Sequence, residues 1–298
     1  MKQILGIDIG VSGVKMARVH CTHDSIDGAR CWYYPGSLQH ATPEVLASFR
    51  HFLTENHLAG MQAACSIEDP SLKIRRVELP KMPESDLKEA LRWQLRNVVE
   101  GPVADYVVRY SHLGNGGETK RCDLVAYAIR RQSVQNYIQL LKRVGLRPVV
   151  VEPASVSLLA IFEQIHGSEP GKFYGLVDFG ANHTIFAVIG DGKLFYSRTL
   201  TGISTEHAAE PSEGNDYQSR ILLELQRSID AFFLMFQTDK IEALFLCGGG
   251  ACGPELLEFL PKNLGIATHL LDPTEKLQLN TQPAHLYDVA LGLALYPL

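Results

Sequence analysis

The sequence predicts an α/β chain made of two copies of one half-domain, on three observations. An apolar run ends at Asp8-x-Gly10 and turns through Ser12-Gly13 into a second strand beginning at Val14. The same design returns at Asp178-x-Gly180, followed by Ala181-Asn182 and another strand. A third apolar run, 243–247, leads into Gly248-Gly249-Gly250 ahead of a helix. Apolar runs bounded by turn residues read as buried strands, and two of them a few residues apart as a hairpin. Two such hairpins far apart in one chain place their acidic turns on either side of a common cleft.

At 298 residues the chain has room for two domains. The first half is expected over 1–166, with an inserted subdomain at about 81–130, and the second over 167–298. After the first hairpin, 28–34 alternates as a third strand. Thr42-Pro43-Glu44 then opens a helix as cap, first-position proline and first-turn acid. Val45, Leu46, Phe49, Phe52 and Leu53 give it an apolar face ending near His57, and 62–67 is a short strand. The order changes at 77–83, read as an extended linker, before a helix over 84–99 with Leu87, Leu91, Leu95 and Val98 on one face. Segments 105–111 and 121–129 alternate as strands about the glycine-rich loop 114–117.

A helix over 132–144 stops at Gly145. Strand 146–151 passes through Glu152-Pro153-Ala154 into an apolar helix ending near His166, and Ser168-Glu169-Pro170-Gly171 marks a boundary. The second half adds a strand at 193–200, a polar loop at 201–215 and a long helix over 217–236. Its aromatics at helical spacing read as core. It closes with a helix over 254–261, a strand at 268–271 and a helix over 283–295.

Glycine turns of this kind suit phosphate, because backbone N–H groups approach an anion unobstructed by Cβ atoms. Lys15 adds a cation, and one carboxylate at each turn can hold a hydrated magnesium, which takes few protein ligands. Gly248 to Gly250 would let a flat ligand lie against backbone beside a helix N-terminus. Each feature also has a purely structural reading. Asp8 serves as a turn-capping residue, Glu152 as a first-turn helix acid, and His183 as a loop or core histidine.

Composition narrows the field. The net charge of −5 leaves no basic footprint for nucleic acid, and Lys81, Lys88, Arg92 and Arg96 read as a solvated helix face. Met1-Lys2-Gln3 leads straight into a strand with Asp8 inside it, so a signal peptide is not expected, and no apolar run is long enough to span a bilayer. The six cysteines are scattered without zinc-site spacing and read as small hydrophobes in a reducing cytosol.

In sequence order, Asp8-x-Gly10, Glu152-Pro153-Ala154, Asp178-x-Gly180 and Gly248-Gly249-Gly250 resemble the phosphate 1, connect 1, phosphate 2 and adenosine motifs of the actin, Hsp70 and sugar-kinase superfamily. More specifically, the chain resembles the PilM family of type IV pilus assembly proteins, related to FtsA. The match is carried by residues 6–15, 150–154 and 289–295, and above all by Leu79-Pro80-Lys81-Met82-Pro83-Glu84-Ser85-Asp86-Leu87-Lys88-Glu89-Ala90-Leu91-Arg92-Trp93-Gln94, which is similar to the start of that family's inserted 1C subdomain.

The resemblance implies an actin-like (ribonuclease H-like) duplicated fold with a 1C-like insert. It implies ATP and magnesium at the cleft. Asp8 and Asp178 would hold the metal through water, and Gly10, Ser12, Gly13, Lys15, Gly180 and Asn182 the phosphates. Gly248, Gly249 and Gly250 would face the adenosine, and Glu152 would position water or metal. It also implies a cytoplasmic adaptor at the inner membrane. Such an adaptor binds the cytoplasmic N-terminal peptide of a PilN-like protein, with Trp93, Val107 and Ala126 at the interface, and neither binds nucleic acid nor enters the membrane.

One departure stands out. Relatives carry a helical subdomain, 2B, between phosphate 2 and the long helix, and 199–215 is too short to hold it. Loss of one wall of a nucleotide pocket costs ~3 kcal/mol, roughly a hundredfold in affinity. The expectation is therefore an adaptor with weak or absent ATP binding. A working nucleotide switch is the alternative, and a small-molecule kinase is a more remote one.

Overall fold

The computed structural model describes residues 3–22, 25–39, 41–114, 120–200, 203, 214–250, 254–281 and 283–296. The chain folds into two five-stranded sheets of the same design plus a three-stranded sheet. The first sheet comprises β1 (Ile4–Ile9), β2 (Gly13–Thr22), β3 (Ser25–Pro35), β4 (Gln62–Ile67) and β8 (Arg147–Pro153), in the order β3-β2-β1-β4-β8. The second comprises β9 (Tyr174–Phe179), β10 (Thr184–Gly190), β11 (Lys193–Leu200), β12 (Ala243–Cys247) and β13 (Ala267–Leu270), in the order β11-β10-β9-β12-β13. In each, a central strand pairs antiparallel with its hairpin partner and parallel with the next strand across. The duplication predicted from two turns thus extends through every strand pairing.

Helices follow the same repeat. In the first half, α1 (Pro43–Glu55) and α3 (Arg131–Arg143) cover the outer face, and α4 (Ala154–Ile165) follows the last strand. In the second, α5 (Gly214–Phe236), α6 (Pro254–Leu264) and α7 (Asp288–Ala294) take the corresponding places. Helix α1 begins as its sequence dictates: Thr42 Oγ1 accepts from the Val45 N–H at 3.5 Å, and Leu46, Phe49 and Leu53 are buried. Residues 283–295, expected as one helix, divide into a 3-10 turn (Ala284–Tyr287) and α7.

The insert lies between β4 and α3. It contains β5 (Lys73–Pro80), α2 (Glu84–Leu95), β6 (Tyr106–His112) and β7 (Arg121–Arg130), with strands in the order β5-β7-β6. Helix α2 packs Leu87, Leu91 and Leu95 on one face of this sheet, against Leu79, Leu124, Ala126 and Ala128. It stops earlier than the apolar spacing indicates, because the Arg96 N–H donates to the Trp93 carbonyl at 3.2 Å and tightens the chain into turns. The stretch 77–83, expected as a linker, is largely strand: β5 pairs with β7 from Lys73 through Pro80. Of the polar stretch 201–215, only Ile203 and the start of α5 lie within the described residues, as does Gly114 alone of loop 114–117.

β5 also reaches across to the second half. The Arg76 guanidinium grips Asp123 on β7 through both carboxylate oxygens (2.7–3.0 Å), donates to the Met235 carbonyl near the end of α5, and lies 4.4 Å from the Phe236 ring centroid. Lys193 Nζ at the start of β11 donates to the Leu113 carbonyl at 3.1 Å. The insert belongs covalently to the first half and is fastened to the second.

The halves meet in one shared core. Ile4, Ala17 and Ala64 of the first sheet and Leu176, Ile185 and Phe245 of the second pack against α4 and α7. Two glycines make the approach possible. A Cβ at Gly6 would overlap the Ala290 carbonyl of α7, and one at Gly292 would overlap the Ser157 carbonyl of α4. Gly292→Val forces α4 and α7 apart and is expected to cost about 3 kcal/mol, read as a lower urea midpoint with unchanged slope. A midpoint within error of wild type would contradict this packing.

Candidate functional site

Asp8 and Asp178 occupy the same position in equivalent strands, the fifth residue of β1 and of β9. The turn after each strand closes identically: the Gly10 N–H donates to the Gly13 carbonyl and the Gly180 N–H to the His183 carbonyl, both at 3.0 Å. Lys15 stands opposite Asp8 in the β1–β2 register, with Nζ 3.4 Å from Asp8 Oδ2. The matching place in the second half is Ile185, so one lysine serves both carboxylates. Burial alone would lower the Lys15 pKa, but Asp8 and Asp178 outweigh it and hold the ammonium charged. Ser66 Oγ donates to Asp8 Oδ1 at 2.8 Å.

The glycine triplet closes on the same point. Gly248 has φ +80, and a Cβ there would overlap Asp178 Oδ1. Its N–H donates to the His285 carbonyl at 3.0 Å, and the Gly250 N–H to the Phe179 carbonyl at 3.2 Å. Gly249 faces outward, with Leu286 its nearest neighbour. The structure therefore gathers Asp8, Gly10, Ser12, Gly13, Lys15, Asp178, Gly180, Asn182 and Gly248 around one cleft.

Several residues of the cleft had no motif to announce them. Tyr33 donates to the Ser12 carbonyl at 2.8 Å, and its ring fills the space a Cβ at Gly13 would need. Glu68, at the end of β4, faces His183 at 3.9 Å across the two turns. Burial, together with Asp178 and Asp8, pushes its carboxyl up to about 8 despite a hydrogen bond from the Ala154 backbone. Burial lowers the His183 pKa. Asp178 is pushed to about 6 by burial and Asp8, against the pull of Lys15. A cavity of about 650 Å³ opens from Asn182 and His183 toward Arg75 on β5 and Arg198 on β11.

Asp288, the first residue of α7, is 1 % exposed, and neither carboxylate oxygen has a hydrogen-bond partner among the described residues. Burial, Asp178 and Asp272 raise its pKa far above the ordinary value. The acid pair with Lys15 between them fits a hydrated divalent ion and a phosphate by donor type, with Asp8 and Asp178 to the ion's water and Lys15 to the anion. When bound, such an ion would neutralise phosphate charge. Among the described residues no group of three or more His, Cys, Asp or Glu side chains converges as a direct metal site.

Glu152 is placed elsewhere. The β4–β8 pairing shifts register at Ala63/Ala64, which pair with Pro148 and Val150. Glu152 lines a groove of about 460 Å³ between the first sheet and the insert, and its carboxylate accepts from Ser157 Oγ at 3.0 Å. Glu68 is the glutamate that stands beside Asp8 and Asp178. Residues 148–153 line the groove consecutively, as an edge strand seen side-on, with Val149 40 % exposed. The opposite wall carries Val107, Arg109 and Ser111 of β6 with Tyr127 and Ile129 of β7, and Val134 and Ile138 of α3 are also part of the lining. Val107 therefore lies in the groove. Ala126 points to the other face of the insert sheet, beneath α2. Trp93 is 65 % exposed on α2 and is not part of the groove lining.

The family model described as type IV pilus assembly protein PilM matches residues 6–202 and 215–297. The chain belongs to the PilM family. A solved PilM-PilN type IV pilus biogenesis complex is similar at 22 % identity with a TM-score of 0.81, covering 98 % of both chains. A Bacteroides thetaiotaomicron protein with an actin-like ATPase fold and unknown function is similar at 11 % identity with a TM-score of 0.51, covering 99 % of this chain and 96 % of the other. The fold of this PilM-family chain is accordingly actin-like, with the 1C-like insert. Among the described residues no helix is long and apolar enough to cross a membrane.

The carboxyls with raised pKa set the pH response of the apo protein. Asp178, Glu68 and Asp288 hold protons more tightly folded than unfolded, so the stability they contribute is complete below about pH 4 and is lost as pH rises toward 8. Stability without added metal is expected to fall from pH 5 to 8.5. Asp288→Asn should flatten that slope and add about 1–2 kcal/mol at pH 8. A stability that rises across this range, measured by urea unfolding, would contradict the assignment.

Proposed function

We propose that this PilM-family chain is a cytoplasmic adaptor of a type IV pilus or related assembly platform, held at the inner membrane by its partners. Its groove between β8 and the insert receives the cytoplasmic N-terminal peptide of a PilN-like protein. The observation that carries this reading is the groove itself: an apolar trough running along a sheet edge that has no strand partner among the described residues. An extended peptide can add to the free edge of β8 through backbone hydrogen bonds while alternate side chains enter the apolar walls. Pro148 and Pro153 lack N–H donors, so pairing is confined to 149–152 and the peptide register is short. The family match and the likeness to a PilM-PilN complex support the choice of partner.

An acid at Val107 replaces apolar wall with a carboxylate in the same trough as Glu152. Val107→Asp is expected to weaken binding of the PilN-like segment at least a hundredfold in isothermal titration. Trp93→Ala, on the opposite face of the insert, should leave groove binding within about twofold. Loss of binding in the second variant with retention in the first would move the interface to α2.

The cleft supports a second reading, a nucleotide switch, because Asp8, Lys15 and Asp178 keep a composition suited to a metal–phosphate group. With only 201–213 connecting β11 to α5, the pocket lacks the 2B wall, and ATP binding in this account is weak or lost. Titration with Mg-ATP should give a Kd of about 0.1 mM or weaker. Submicromolar binding abolished by Asp8→Ala would establish the switch instead.

A further inference from the structure

Most of the groove is aliphatic, yet a carboxylate is built into its wall. Glu152 is half-buried, and Ser157 Oγ holds Oε1 at 3.0 Å, which fixes the carboxyl and leaves Oε2 for an incoming donor. Among the described residues it forms no ion pair, and burial raises its pKa with only the Ser157 hydrogen bond in opposition. Nearby polar groups are committed elsewhere: Tyr127 Oη and Ser111 Oγ share a hydrogen bond at 3.2 Å. Arg109, the one cation among the described residues that line the groove, is exposed on β6 and donates to the Val108 carbonyl at 3.0 Å.

We propose that Glu152 is the specificity residue of this groove, and that the segment bound there presents one Lys or Arg side chain to it among apolar neighbours. The inference rests on the peptide-groove reading above. An apolar occupant would strip the remaining water from Glu152 and leave Oε2 buried without a partner, a penalty that rejects such ligands. A cationic occupant supplies a charge-assisted hydrogen bond in the same low-dielectric trough and returns the carboxyl to its ionised form. The aliphatic wall gives affinity, and the single acid sets which apolar strands are accepted.

The test is a double-mutant cycle by isothermal titration. The probe is the synthetic cytoplasmic N-terminal segment of the PilN-like protein from the same organism, unmodified or with each Lys or Arg replaced in turn by Met. The proteins are wild type and Glu152→Gln, a variant that keeps an acceptor for Ser157 and whose folding is verified by its thermal melt. One Met replacement should weaken wild-type binding about tenfold, and Glu152→Gln should weaken the unmodified segment by a similar factor. The two together should cost no more than either alone. Wild-type affinity should also fall as pH is lowered and Glu152 protonates, and the Gln variant should lack that dependence. Additive losses, or a segment bound in the groove without any Lys or Arg, overturn the assignment. Loss of binding in Val107→Asp alongside an additive cycle removes Glu152 alone. Unchanged binding in Val107→Asp, or no binding to wild type, removes the groove reading beneath it.

Discussion

The close contact of α7 with β1 and α4 governs this molecule. At Gly6 and Gly292 there is no room for a single carbon atom, so the two halves share one core and cannot slide past each other there. Packed interiors transmit rather than absorb displacement. Because Asp8 and Asp178 sit at matching points of equivalent strands, the packing at the base of the cleft also sets how the two acidic turns face each other. Lys15 can then balance both, while burial leaves raised carboxyls at Asp178, Glu68 and Asp288, the last without a hydrogen-bond partner among the described residues.

The insert adds a second bridge between the halves. Arg76 and Lys193 tie its sheet to α5 and β11, while α3 and β8 line the groove beside it. Ser157 belongs to both regions: its carbonyl abuts Gly292 at the shared core, and its hydroxyl holds Glu152 in the groove. The cleft and the groove are therefore built on opposite sides of one helix start, with Glu68 on one side and Glu152 on the other.

Much of this was legible because local pattern and tertiary role agree. The Asp-x-Gly turns, the capped start of α1 and the stop of α3 at Gly145 each follow from residues within a few positions of one another. Strand β5 was not legible, because Arg75 and Arg76 place charge on both sides of a short strand: one lines the cleft cavity and the other grips α5. Neither use has a local signature. Glu152 was read into the cleft through its motif, and its place in the groove depends on β8 ending up as the sheet edge beside the insert, an arrangement of distant segments. Tyr33, Glu68 and Asp288 reach the cleft from separate strands and helices, and no spacing in the sequence joins them to Asp8. Val134 and Ile138 of α3, an i, i+4 apolar pair left half-buried, line the groove without having been read as part of it.

The central claim, that the groove beside β8 is where the partner docks, is tested most directly by amide hydrogen exchange of the full chain with and without a PilN-like cytoplasmic segment. The account predicts new protection concentrated in 149–152 and in β6, with α2 unchanged. Protection confined to α2, or to the turns at 10–13 and 180–183, would contradict it.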